Sequence, residues 1–102
     1  MRTLADEARG EIVRGVLLTI LIQYHLDWVP FRTLRLMALR GQGYLLSDEE
    51  LKFHLAYLSD TTRMYAETKP LSAAGAELFV RATAKAVDLR DGRIPDDPGI
   101  QF

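Results

Sequence analysis

The order of structural signals along the chain predicts a mainly helical domain, and three observations carry that prediction. Ser47 and Glu50 form an S-x-x-E capping box, with Leu46 and Leu51 at the positions of a hydrophobic staple. Two segments with helical apolar patterning precede the box. A strand-like run, Arg63–Lys69, follows it. Helix, helix, capped helix and strand is the order of a winged helix-turn-helix.

The bulk properties fit one such domain. The 102 residues suit a single core, and 48% hydrophobic with 26% charged content is ordinary for a globular chain. Thirteen basic and fourteen acidic residues leave a net charge of −1. That argues against a generally basic nucleic-acid coat, though not against a local basic patch. With no cysteine, the chain has no disulfide, thiolate metal site or cysteine nucleophile. The opening Met1–Arg9 is mixed in charge and does not read as a signal peptide. The longest apolar stretch, Val16–Ile22, is far shorter than the ~20 residues of a membrane span. A cytoplasmic location is the expectation.

The first helix is expected from about Leu4 to Leu26. At roughly 100° per residue, Leu18 and Ile22 lie on one side, Val13 and Ile20 opposite, and Leu17 and Leu21 between. A helix that is apolar nearly all round must be covered on more than one side. A central core helix satisfies this. A homodimer interface through the same helix, using Val16 and Ile20, satisfies it as well. Asp27–Pro30 is a break, and Pro30 suits a first helical turn. The second helix is expected over Pro30–Arg40, ended by Gly41 and Gly43, with Phe31, Leu34, Met37 and Ala38 inward. The third runs Asp48–Asp60, with Leu51, Leu55 and Leu58 on one face. Beyond it two readings stand. Ala73–Val87 forms one helix by propensity. Alternatively Arg63–Lys69 and Leu78–Ala82 pair as strands around a Pro70–Ala76 tip, followed by a short helix Thr83–Leu89. Residues 91–102 contain two prolines and two glycines and are expected to form an extended C-terminal tail without regular structure, leaving 1–90 as the winged-helix domain.

The run Arg81-Ala-Thr-Ala-Lys-Ala-Val-Asp-Leu-Arg-Asp-Gly-Arg-Ile-Pro-Asp-Asp-Pro-Gly-Ile resembles the ending of a small protein family of Mu-like phages and prophages. In that family a strand leads into a T-x-K-G-x-D-x-x-x-G-like helix and a Pro-Gly-Ile tail. The apolar first helix, the arginine-bearing second helix and the L-x-x-L spacing around Tyr57 agree with it. Ala86 departs from the pattern, where the family has glycine. The resemblance implies a winged helix-turn-helix that is mainly α with a small β-hairpin, and a phage setting. It implies no catalytic residues.

No catalytic constellation is legible. His25 and His54 sit on different helices, and His54 at the edge of the leucine stripe reads as a packed side chain. Asp96 and Asp97 stand in the tail without a partnering cluster. No phosphate loop, dinucleotide fingerprint, metalloprotease motif or nucleophile elbow is present. Asp48, Glu49 and Glu50 read as helix N-terminal charge. The chain is therefore expected to be non-enzymatic, with no cofactor and no metal.

Two binding readings follow. Duplex DNA would be met by Arg32, Arg35 and Arg40 on the second helix, by Lys52 on the third, and by Arg63, Lys69, Arg81 and Lys85 around the wing. The third helix is a poor DNA reader, because Glu49, Glu50 and Asp60 would face phosphates there. The rival is a protein interface on its outer face, where Phe53 and Tyr57, spaced i, i+4, stand beside Glu49. The fold class and phage setting favour a DNA-binding accessory or regulatory protein. The alternative is an interaction module in phage assembly or DNA packaging.

Overall fold

A computed structural model describes residues 3–70 and 78–102. Thr3 opens the first helix, α1 (Leu4–Gln23), with a reciprocal capping box to Asp6. The helix stops three residues earlier than expected. Tyr24 caps it, and His25 and Leu26 take left-handed φ values of 57° and 63°, which turn the chain out of the helix. A two-residue strand β1 (Val29–Pro30) follows, so Pro30 belongs to the sheet and to the N-cap of α2 (Phe31–Gln42), not to the helix itself. Gly41 lies within α2, and Gly43 closes it in the left-handed conformation.

Ser47 caps α3 (Asp48–Ser59), and its hydroxyl accepts from the Glu50 N–H at 3.1 Å. The expected return bond of the box is replaced. The Glu50 carboxylate instead takes the Arg9 guanidinium of α1 at 2.8 Å, tying the two helices together. Leu46 and Leu51 are both buried, as a staple requires. After α3 the Asp60 carboxylate accepts from the N–H and hydroxyl of Thr62, and Met64 adopts a left-handed φ of 55°. This turn consumes Arg63 and Met64, so the strand β2 (Ala66–Pro70) begins three residues later than expected.

The second strand of the hairpin, β3 (Leu78–Ala82), falls where the hairpin reading puts it, and α4 (Ala84–Arg90) follows Thr83. A single helix over Ala73–Val87 is not formed. The expected tip, apart from Pro70, lies outside the described residues. β3 is central: it pairs antiparallel with β2 (Ala66 opposite Ala82) and with β1 (Val29 opposite Val80), giving the order β1-β3-β2. Among the described residues the chain thus has four helices and a small antiparallel sheet.

The core joins Val13, Leu17, Leu18 and Leu21 of α1 to Leu34, Leu51, Leu58, Val80 and Leu89. The expectation that α1 is covered on more than one side holds. One arc faces the core, and residues 99–102 cross another. The N–H of Gln101 donates to the Glu11 carbonyl at 2.9 Å, and Ile100 is buried in the same core. Residues 91–102 lack helix and strand as expected, but they are folded onto the body of the protein. No helix of the described residues is long and apolar enough to cross a membrane.

Candidate functional site

A cleft of about 670 Å³ opens between the N-terminal half of α1 and the N-terminal half of α3, closed at one end by Pro98 and Gly99. The two helices meet there because each buries its leucines in the common core. Acids form the rim: Asp6 and Glu7 from the first turn of α1 with Glu11 one turn on, and Glu49 and Glu50 from the first turn of α3. Glu50 alone among them ion-pairs within the described residues. The Arg9 hydrogen bond, aided by the Ser47 cap and outweighing burial, holds its carboxyl below the usual glutamate range. Phe53 stands on the α3 side, nearly half exposed, its ring edge-on to His54.

The floor is polar and buried. Arg14, 7% exposed, donates from Nε to the Gly99 carbonyl at 2.6 Å. Its Nη1 lies 3.3 Å from Nδ1 of His54, itself buried. A guanidinium only donates, so Nδ1 is the acceptor in that contact. Among the described residues no buried side-chain nitrogen or oxygen is left without a hydrogen-bond partner. The reading of His54 as a packed side chain therefore holds.

Behind the floor lies an aromatic and carboxylate cluster. The Tyr57 ring has the Arg14 guanidinium 4.3 Å and the Arg63 guanidinium 3.7 Å from its centre. Its hydroxyl donates to Asp97 Oδ1 at 2.6 Å, and the Tyr65 hydroxyl donates to Oδ2 at 3.1 Å. Arg63 Nε stands 3.6 Å from the same carboxylate. Burial works to raise the Asp97 pKa. The hydrogen bonds from Tyr57, the Gly99 N–H and Tyr65, with the charge of Arg63, outweigh it and hold the carboxyl below its ordinary value. Burial, then the hydrogen bond to Asp97, pushes the Tyr57 phenol up; burial and the Asp97 charge do the same to Tyr65.

Two sequence expectations are corrected by this cluster. Asp97 has a partnering cluster after all, assembled from α3 and the approach to β2. Tyr57 does not face outward beside Phe53, because the tail covers it. The structure brings Glu49 and Phe53 together on one rim and places Tyr57 behind it. Val16 and Ile20 lie elsewhere on α1, both half-buried, and Ile20 packs against the core.

The residues expected to meet DNA are dispersed and partly engaged. Arg35 pairs with Asp48, Arg81 with Glu67 at 3.0 Å, and Arg63 with Asp97. Lys85 Nζ reaches the Thr62 carbonyl at 3.5 Å. Lys69 and Arg81 both lie over the Trp28 ring, at 4.3 and 4.5 Å. Arg32, Arg40, Lys52 and Lys69 make no ion pair among the described residues, and all four are exposed.

Sequence reasoning missed Arg14, Gly99 and Asp97. Arg14 carried a signal: an arginine inside the run Ile12–Ile22 is a charge in an otherwise apolar segment. No group of three or more His, Asp or Glu among the described residues is placed to hold a metal ion. No family model, curated protein or solved structure matches the chain.

Proposed function

We propose that the chain is a non-catalytic, winged-helix-type interaction module that docks a basic segment of a partner protein in the cleft between α1 and α3. The observation that carries this reading is the cleft itself. It sets an exposed aromatic, Phe53, beside five carboxylates, one of which is neutralised by Arg9. Lysine and arginine side chains fit such a rim by charge, and an aromatic face adds a cation–π contact. The helix order and the β1-β3-β2 sheet support the winged-helix reading. The resemblance to Mu-like phage proteins supports a partner in phage assembly or DNA packaging.

Duplex DNA is the second reading. Its support is the set of exposed cations that make no ion pair among the described residues, Arg32, Arg40, Lys52 and Lys69, and the helix order. It is the weaker one, because Arg35, Arg63 and Arg81 are already held by carboxylates of the same chain.

Fluorescence anisotropy with two probes separates them: a lysine- and arginine-rich peptide, and random duplex DNA, each at low and moderate salt. The module reading expects the peptide to bind, and Phe53→Ala or Glu49→Lys to weaken it by roughly tenfold, the scale of a modest interface anchor. It expects no DNA complex at low salt. A DNA complex that falls steeply with salt and is weakened by Arg32→Glu or Arg81→Glu would reverse the order of the two readings.

A further inference from the structure

The outer face of α2 carries charge of the opposite sign to the cleft. Trp28–Leu46 holds Arg32, Arg35 and Arg40 and no acid. At roughly 100° per residue, Arg32 falls between Leu36 and Leu39, with Arg40 beside the first leucine and Arg35 beside the second. The buried Phe31, Leu34 and Ala38 lie on the other side of the helix. Leu36 and Leu39 are 44% and 39% exposed. Apolar side chains enclosed by guanidinium groups have the layout of a small interface, an apolar centre inside a charged surround.

The cleft repeats that layout with the charge reversed. Phe53, 47% exposed, stands inside a rim of carboxylates. The arginines that line the cleft are already held, Arg9 by Glu50 and Arg14 by the Gly99 carbonyl. Asp6, Glu7, Glu11 and Glu49 make no ion pair among the described residues. No residue of α2 lines the cleft, so the two surfaces are separate on one copy.

We infer that the basic segment received by the cleft is the α2 face of a second copy, so that copies join head to tail. This rests on the cleft being a docking site for basic side chains. Charge selects the occupant. The chain sorts its charge into two surfaces of opposite sign while its net charge is only −1. Two copies therefore approach without strong net repulsion, and setting α2 against the cleft brings opposite signs together. Cleft against cleft sets carboxylates against carboxylates, and α2 against α2 sets arginines against arginines. Arg35 shows the pairing chemistry within one chain: it takes Asp48, which shares the first turn of α3 with Glu49. Arg32 and Arg40 make no ion pair among the described residues, and they are the cations left for the rim of a neighbour.

Because the two surfaces differ, the contact is heterologous. A joined pair keeps one cleft and one α2 face open, so assembly continues into a ring or a filament.

Sedimentation velocity of the whole chain over a wide concentration range, at low and moderate salt, tests this. The average mass should rise past that of a dimer with concentration and fall back as salt screens the contact. Two double variants divide the interface. Arg32→Glu with Arg40→Glu reverses the α2 face, and Glu49→Gln with Phe53→Ala strips the cleft of a carboxylate and its aromatic. All four positions are exposed, so the fold should hold. Each variant alone should raise the dissociation constant about a hundredfold. Mixed in equal amounts, the two should form a dimer that does not grow, because the first retains a cleft and the second retains an α2 face. A parent that stays monomeric throughout, a variant that still assembles by itself, or a mixture that gives no dimer overturns the inference. Anisotropy of the lysine- and arginine-rich peptide on the Arg32→Glu, Arg40→Glu variant separates the two proposals. Peptide binding without self-association of the parent removes the second copy and leaves the docking cleft; loss of both removes both.

Discussion

Asp97 fastens the tail to the body of the protein, and its ionisation is built into that fastening. Its carboxylate receives the hydroxyls of Tyr57 and Tyr65 and the N–H of Gly99, with Arg63 close by. Its folded pKa lies below the ordinary value of 3.8. A group depressed on folding contributes stability that is present above its unfolded pKa and lost as pH falls through the folded one. The tail attachment should therefore weaken as pH drops below about 4. Asp97→Asn should cost about 1.5–3 kcal/mol at neutral pH, the range for hydrogen bonds to charged groups, and should flatten that acid limb. Urea melts at pH 7 and pH 3 on both proteins check it, and an unchanged acid limb in Asp97→Asn would assign the effect elsewhere. Little of this was legible in sequence, for a physical reason. Tyr65 and Tyr57 lie 32 and 40 residues from Asp97, so the cluster exists only once α3 and the tail have packed. His54 was legible because its position on a leucine stripe is a local property of one helix.

At the scale of elements, the capped start of α3 was legible, and the end of α1 and the start of β2 were not. Ser47 announces α3 because a cap is chemistry within four residues. Ser47→Ala should lower stability by about 1 kcal/mol, measured by thermal or urea unfolding. Glu50→Gln should cost less through the cap than through its lost charge with Arg9, since Glu50 reaches α1 instead of its own N-cap. The end of α1 and the start of β2 are set by left-handed residues, His25, Leu26 and Met64, whose conformations nothing in their side chains announces. The tail meets α1 and α3 through one close approach each. A methyl at Gly15 meets the Gln101 carbonyl, and a methyl at Gly99 meets the Tyr57 hydroxyl. Gly15→Ala meets backbone that must move, so it should release residues 99–102. Gly99→Ala meets the end of a side chain that is itself bonded to Asp97, so it should loosen the cluster instead. Faster amide exchange at Gln101 in Gly15→Ala, with α3 protection retained, would separate the two effects; equal loss of protection throughout would show that the tail and core unfold as one unit.

On the scale of the whole molecule, the radius of gyration of 13.0 Å is that of one compact domain of this length, and charge placement decides what its surface can meet. The sequence shows the arginines of the second helix and the hairpin, but not that Asp48 and Glu67 would fold against two of them. Those pairs are exposed, so each adds little to stability. Their larger effect is electrostatic: they cancel positive charge where a phosphate backbone would otherwise be met. This makes a prediction that runs opposite to ordinary loss of function. Asp48→Asn with Glu67→Gln removes two negative charges from a chain of net charge −1 and frees Arg35 and Arg81. The fold should be unchanged, with a melting temperature within a few degrees of the parent, as expected for substitutions of exposed side chains. If neutralisation is what keeps the parent off DNA, the double variant should bind random duplex at low salt. The dependence of its log affinity on log salt should steepen by about 0.9 for each phosphate newly engaged. Restoring charge by adding Arg81→Glu should abolish the gain. A double variant that still ignores DNA at low salt would mean that shape, and not cancelled charge, separates this surface from a duplex. A parent protein that already binds would mean that Arg32, Arg40, Lys52 and Lys69 suffice by themselves.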